Sequence, residues 1–255
     1  MSDNNNDNDN KKQPAKDNIV SLDSIRAQKQ TVKKDPPTAA QMPLEAQGLE
    51  KPAPAINLPP VTKYFLAAII GVHLFITIIL SKEAMEWAYV HLGFIPARFS
   101  GAAPFEPLAL LTPITHMFIH GSWIHIGMNT VMMAAFGTGI ERWLGGKKMM
   151  AVFFISGLIG IALQFALSPA SFSPVIGASG GLSGLFAAAI IMFNKLNGSF
   201  NSKYGIWPII GVVLATYFIF GFIGSPDGNV VAWAAHIGGF LGGFIALKLL
   251  KISFK

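Results

Sequence analysis

From Tyr64 to its C-terminus the chain is a succession of apolar runs of membrane length, each closed by a charged or Gly/Pro-rich break. This pattern restricts the fold more than any other feature. Lipid offers no partner to a bare peptide group, so a span that is not part of a closed barrel must be an α-helix. The runs cover about Tyr64–Leu80, Phe118–Ile140, Met149–Leu167, Ser179–Phe193, Ile206–Ile223 and Val230–Leu250. They predict an all-α membrane protein with six transmembrane helices.

Charge is distributed to match. Of the 32 charged residues, 16 lie in the first 60 positions, and all 29 aromatic residues lie at or beyond Tyr64. A soluble domain of 195 residues with so few charges could not cover its surface with polar groups. Residues 1–60 hold eight prolines and are rich in Asn, Asp, Lys and Gln. Such a stretch buries too little apolar surface to offset the entropy of ordering, so a disordered N-terminal tail is expected over 1–60 and the membrane domain over 61–255. The tail lacks the basic start and apolar core of a signal peptide. The short stretch Ile19–Arg26 is read as part of the solvated tail.

The chain has no cysteine, which excludes disulfide-stapled and thiol–zinc classes. No metal site and no cofactor is expected. The net charge of +6 comes from residues flanking apolar runs, with no basic stripe, so no nucleic-acid partner is expected. Eight basic residues (Arg142, Lys147, Lys148, Lys195, Lys203, Lys248, Lys251 and Lys255) fall on one side of the predicted spans. Only Lys82 and Arg98 fall on the other. The positive-inside rule then places both termini in the cytoplasm of a multi-pass protein of the cell inner membrane. The long outer loop between Ser81 and Ile119 carries Trp87, Tyr89, Phe94, Phe99 and Phe105 among Gly and Pro, and predicts short helices at the interface.

Polar groups inside spans are costly and therefore candidates for function. His120, His125 and Asn129 lie near the outer end of the second run, Ser179 opens the fourth, and His236 lies near the outer end of the sixth. Counted from the predicted starts, His125 and His236 are both roughly 10 Å deep. The fourth run is short, roughly 22 Å against the ~30 Å core, so Ser179 is expected at the same depth. A serine at a helix N-terminus among Gly177, Gly180 and Gly181 has free N–H groups beside it, which suits a developing oxyanion. A histidine at matching depth can act as general base. His125 and Asn129 are four residues apart and share a face, so both can supply oxyanion donors. Gly180 with Gly184, Gly238 with Gly242 and Gly239 with Gly243 have the small-residue spacing that lets helices approach closely. A tight contact of spans four and six would bring Ser179 to His236.

These residues also carry a family resemblance. His116-Met-Phe-Ile-His120-Gly-Ser-Trp-Ile-His125-Ile-Gly-Met-Asn129, Gly177-Ala178-Ser179-Gly180 and Ala235-His236-Ile-Gly-Gly resemble the motifs of rhomboid intramembrane serine proteases. Glu141-Arg142 and the stretch Leu92-Gly-Phe-Ile-Pro-Ala-Arg98 are similar to further stretches of that family. The resemblance covers roughly residues 60–250. It implies a serine endopeptidase that cuts transmembrane segments of other membrane proteins, its partners being those substrates and the lipid bilayer. It implies a Ser–His dyad in a water-filled cavity open to the outside, with Ser179 as nucleophile and His236 as general base. His125, Asn129 and the Ser179 N–H would bind the oxyanion, and His116 and His120 would be structural or organise water. A silent relative that only binds membrane clients, or a small-solute transporter, are the competing classes. The transporter is disfavoured because no acidic residue lies in any predicted span and no inverted repeat is seen.

Three departures from the family are visible. Leu110-Leu-Thr-Pro-Ile114 stands where many members have a Trp-Arg pair, which bears on loop anchoring. Ser183 stands four residues after Ser179, where some members have a tyrosine against the histidine; Trp233 is the candidate substitute. Val231 stands where the family has a glycine four residues before Ala-His. Reporter fusions check the orientation: those placed after Lys203 and at the C-terminus are expected to read cytoplasmic, and one near Gly101 external. An external C-terminus would overturn the common depth of Ser179, His125 and His236.

Overall fold

A computed structural model describes residues 57–197, 204–223 and 232–252. These lie in one compact unit, and the tail expected over 1–60 falls almost wholly outside the described residues, as do Lys203, Asp227, Val231 and Lys255. The described chain is helical. Helix α1 is Pro60–Leu74 and continues through a π-turn, Phe75–Ile79. The long stretch after α1 folds into α2 (Lys82–Leu92), α3 (Pro96–Ser100) and α4 (Thr112–Thr115), with 3₁₀ turns at Pro107–Leu111 and His116–Phe118. Next come α5 (Trp123–Met132), a π-turn at Met133–Gly137 and α6 (Thr138–Leu144). Four helices complete the order: α7 (Gly146–Leu167), α8 (Ser179–Asn197), α9 (Trp207–Ile223) and α10 (Trp233–Leu249).

Three of these runs are long and apolar enough to cross a membrane: Pro60–Ile79, Gly146–Leu167 and Ser179–Leu196. Several apolar side chains on α1 and its π-turn face outward, among them Tyr64, Ile70, Leu74 and Phe75, while the buried positions of α1, Thr62, Phe65, Leu66, Ile69 and His73, recur at helical spacing. The core runs through Phe65, Ile69, Met117, Met133, Met149, Phe153, Leu182, Leu185 and Leu247. Helices α7, α8 and α10 form its centre, and α9 packs against α8 and α10 through Ile210 and Val213.

Two helix starts differ from expectation. The predicted second span begins at Phe118, but α5 begins at Trp123, because the Ser122 side chain accepts the N–H of His125 (3.1 Å) and caps the helix there. His125 is therefore in the first turn rather than two turns down. Likewise α10 begins at Trp233, so His236 lies one turn in. Helix α8 also extends one turn beyond Phe193, through Lys195, and its 19 residues span about 28 Å. A helix of that length nearly matches the ~30 Å hydrocarbon core and does not by itself place Ser179 below its surface. What holds Ser179, His125 and His236 together is contact between the elements, described below.

The stretch between α1 and α5 is held by Arg98, which is buried although charged. Its guanidinium donates to the Val90 carbonyl (2.9 Å) and, more weakly, to Glu106 (3.5 Å). That carboxylate also faces His91. Arg98 thus ties α2, α3 and the following 3₁₀ turn together, where the missing Trp-Arg pair left the anchor open.

At the opposite end, Glu141 of α6 caps α1. Pro60 occupies the first helical position, where its missing N–H costs nothing. The next two N–H groups, of Val61 and Thr62, donate to the Glu141 carboxylate at 3.0 and 2.6 Å, and the Thr62 hydroxyl donates at 2.7 Å. A carboxylate there satisfies orphan donors and complements the helix dipole. Arg142 beside it donates to the Asn57 carbonyl at 2.6 Å. Glu141→Ala is expected to lower stability by about 3 kcal/mol, and Glu141→Gln, which keeps one acceptor oxygen, by roughly half of that. Thermal unfolding of the detergent-solubilised protein measures it; an unchanged midpoint in Glu141→Ala would remove the cap from the account.

Candidate active site

The site is assembled where three helix backbones touch. A methyl group added at Gly239 of α10 would overlap the Gly180 carbonyl of α8, and one at Gly243 would overlap that of Gly184. On the third side, a Cβ at Gly160 of α7 would stand 2.6 Å from the Ala235 carbonyl of α10, and one at Gly238 would stand 3.0 Å from the Cα of Gly160. The α8–α10 contact expected from the glycine spacing is present. Helix α7, through Gly157 and Gly160, is a further participant that the spacing did not single out.

This packing puts Ser179 at the first position of α8 opposite His236 in the first turn of α10. Ser179 Oγ lies 2.7 Å from His236 Nε2, and both side chains are half-buried. With Nε2 accepting from the serine hydroxyl, the ring proton sits on Nδ1, which has no hydrogen-bond partner among the described residues. Four of the five acids beyond Tyr64 are described, and none approaches the ring: Glu106 is engaged by Arg98, Glu141 caps α1, and Glu83 and Glu86 lie on α2. Asp227 lies outside the described residues.

The loop before Ser179 is stitched to its surroundings. Phe94 and Val175 form an antiparallel bridge, with N–H···O distances of 3.0 and 2.8 Å. The Ala97 N–H donates to the Ser171 carbonyl (2.9 Å), the Ser100 hydroxyl to the Pro169 carbonyl (2.7 Å), and the Gly177 N–H to the His116 carbonyl (2.8 Å). Gly177 has φ +114°, which side-chain-bearing residues rarely adopt, and a Cβ there would stand 2.6 Å from His125 Nε2. His125 from α5 therefore packs directly on the turn that presents Ser179. The same hypothetical Cβ would be 3.7 Å from Ser179 Oγ, which brings the His125 ring edge to the neighbourhood of the serine.

Asn129, one turn further along α5, is buried. Its amide donates to the His125 carbonyl at 2.8 Å, which leaves its second amide hydrogen, while its Oδ1 has no partner among the described residues. His116 and His120 are buried and act on the loop rather than on the serine. The His116 ring donates to the Thr112 carbonyl (2.8 Å), and His120 Nε2 faces the Ala178 N–H at 3.5 Å.

Two residues of this neighbourhood were missed by sequence reasoning. His73 of α1 is buried, edge-on to Trp123 at 4.7 Å and 6.4 Å from the His120 ring. A histidine inside the first apolar run was a signal that could have found it. Tyr217 of α9 lies flat on His236, with ring centroids 5.3 Å apart and planes at 27°. Trp233, expected in that role, packs instead against Phe218. Among the described residues no group of three or more His, Asp or Glu is placed to hold a metal ion.

A serine hydroxyl on an imidazole nitrogen, beside the free N–H groups of a helix start, is an arrangement equipped for nucleophilic attack on a carbonyl. The family model described as Rhomboid domain matches residues 108–252, more than half of the chain, and the chain belongs to the rhomboid family. It is similar to YdcA, a rhomboid protein of Bacillus subtilis, with 29% identity over 71% of this chain and 89% of that protein. The rhomboid protease GlpG of Haemophilus influenzae is 31% identical over 56% of this chain and 72% of its own length. The rhomboid protease GluP of Bacillus subtilis is 30% identical over 56% of this chain, but the match spans only 26% of that longer protein.

The helix contact gives a prediction whose sign is unusual. Replacing a helical glycine by alanine ordinarily stabilises by about 1 kcal/mol. Gly211→Ala on α9, where an added methyl meets nothing within 4 Å, is expected to follow that rule. Gly239→Ala is expected to destabilise by about 2 kcal/mol, because α10 must move off α8. Thermal unfolding of both variants tests this, and stabilisation by Gly239→Ala would mean that the backbones do not touch.

Proposed function

We propose that this chain is an intramembrane serine endopeptidase that cleaves transmembrane segments of other membrane proteins. The observation that carries the reading is the 2.7 Å contact of Ser179 Oγ with His236 Nε2 at the start of α8. Membership of the family and the relatives named as proteases support it. The domain is read as six crossings from residue 61 onward, with α5–α6, α9 and α10 completing the three long spans. Its orientation follows the basic residues, with termini in the cytoplasm of the inner membrane and the site reached by water from the outer side.

His236 removes the proton from Ser179 as the oxygen attacks the scissile carbonyl, and returns it to the leaving amine. The negative charge that develops on the carbonyl oxygen is met by the Ser179 N–H, by the His125 ring and by the free amide hydrogen of Asn129. The N–H groups of the first turn of α8 have no intrahelical partners, so they are available without reorganisation. Water then enters from the outer side and gives up a proton to His236 as its oxygen bonds to the acyl carbon; the ester bond to Ser179 breaks, His236 returns the proton to Ser179 Oγ, and the acyl fragment leaves as a carboxylic acid.

Comparing the membrane proteome of cells carrying the wild type with that of cells carrying Ser179→Ala tests the reading. Shortened membrane proteins are expected only with the wild type. His236→Ala is expected to be as inactive as Ser179→Ala and as the double variant, since the two act as a unit. Asn129→Ala is expected to slow cleavage tenfold to about a thousandfold, the range for one oxyanion donor. Undiminished cleavage by Ser179→Ala would end the proposal, whereas undiminished cleavage by Asn129→Ala would remove only that residue from the site.

A further inference from the structure

The imidazole of His236 is incompletely held by hydrogen bonds. Its Nε2 meets Ser179, and its Nδ1 has no partner among the described residues. A ring bonded at one nitrogen can still tilt about that bond, and its face decides the aim of the nitrogen lone pair. One face is covered by Tyr217, whose ring lies nearly parallel to it at 5.3 Å. Tyr217 is itself wedged, since it meets Phe240 edge-on at 6.4 Å, and Phe240 is fully buried one turn below His236 on α10. The tyrosine hydroxyl lies beside the side chain of Ser183. The Ser183 hydroxyl in turn donates to the Ser179 carbonyl at 2.8 Å. These contacts close a circuit from Ser179 through Ser183 and Tyr217 to His236 and back to Ser179.

We propose that Tyr217 is the positioning residue of His236: its ring fixes the plane of the imidazole, and its hydroxyl, through Ser183, ties that plane to the backbone of Ser179. The proposal rests on Ser179 and His236 acting as a dyad. It assigns to α9 a part in the chemistry that neither charge nor a nucleophile would reveal. It also gives Ser183 a task, as the link between the tyrosine and the first turn of α8. A side chain without a ring at 217 leaves the imidazole free to tilt, and small errors of aim at a reacting nitrogen are costly in rate.

The test is the rate at which a rhodamine-tagged fluorophosphonate labels the full-length protein in detergent, which reports serine activation without a known substrate. Ser179→Ala must not label. Tyr217→Phe keeps the ring and loses the hydroxyl that lies beside Ser183, and is expected to label about fivefold more slowly than the wild type. Tyr217→Leu is expected to be slower by about thirtyfold or more. Restoration of most of that loss by the ring alone separates positioning from bulk packing, as does a thermal midpoint of Tyr217→Phe close to that of the wild type. If Tyr217→Leu does not fold, the pair Tyr217→Phe and Ser183→Ala decides. They cut the same chain of contacts, so the double variant is expected to be no slower than the slower single one.

A wild type that is not labelled at Ser179 would overturn the dyad, and this proposal with it. A labelled wild type with a folded Tyr217→Leu reacting within threefold of it would overturn the proposal and leave the dyad standing. Fully multiplicative losses in Tyr217→Phe with Ser183→Ala would overturn the circuit.

Discussion

The close approach of α7, α8 and α10 is the contact on which the remainder depends. Apolar side chains gain little by leaving lipid for protein, so helices in a bilayer associate through close packing and polar contacts rather than through the hydrophobic effect. Glycine sacrifices helix propensity, about 1 kcal/mol per position relative to alanine, and allows backbones to meet. Here Gly160, Gly180, Gly184, Gly238, Gly239 and Gly243 are spent on one junction. Ser179 and His236 are each within a turn of that junction. Their side chains are short relative to an ordinary interhelical distance of 8–10 Å. Only with the backbones in contact can a serine and a histidine on different helices meet at 2.7 Å.

The second requirement is a place where irregular backbone can exist. The loop from Ser168 to Ala178 leaves α7 and descends to α8, and its polar groups need partners. The stretch between α1 and α5 supplies them: the Phe94–Val175 bridge, the Ala97 and Ser100 bonds, and the His116 carbonyl. The aromatic-rich loop between α1 and α5 is therefore a scaffold for the turn that presents Ser179. Buried Arg98 stands at the far end of the same chain of support, since it ties together the segments that carry Phe94 and Ala97. At Gly177 the requirement becomes conformational, with a positive φ and the His125 ring where a side chain would be.

Much of this was legible in the sequence for physical reasons. Polar residues inside apolar runs are rare because they are expensive, so Ser179, His125, Asn129 and His236 stood out against their background. Glycines at four-residue spacing signalled the contact that joins two of them. Starts of helices were less legible. Apolar character continues through Phe118 and Ile119, and only the capping by Ser122 moves the start of α5 to Trp123. Tyr217 was not legible because an aromatic ring in an apolar run has an ordinary explanation, and its partner is 19 positions away on another helix. Arg98 entered only the charge count and the Leu92–Arg98 stretch, since a sequence does not show that a loop guanidinium turns inward.

The ring of His236 illustrates how a membrane setting alters a familiar catalytic device. In soluble serine hydrolases a buried carboxylate receives the Nδ1 proton and steadies the imidazolium. Removing a carboxylate from water within an apolar helix bundle carries a desolvation cost of several kcal/mol, which a single hydrogen bond to a neutral imidazole does not offset. In this chain the described acids stay where donors or water already meet them: Glu141 on three donors at the far end, Glu106 on Arg98 in the stretch between α1 and α5. Around Nδ1 no described side chain takes the proton, and orientation must come from shape. Shape is what this bundle has in abundance. Glycine contacts fix the helix that carries the ring, and Tyr217 covers its face. In the proposed reaction the imidazolium has no fixed counter-charge among the described residues, and its stabilisation would fall to the oxyanion that forms at the same moment beside it. Such a site depends on charge separation over a few ångströms, held between His236 and the N–H groups of α8, and therefore on the geometry of that one helix junction.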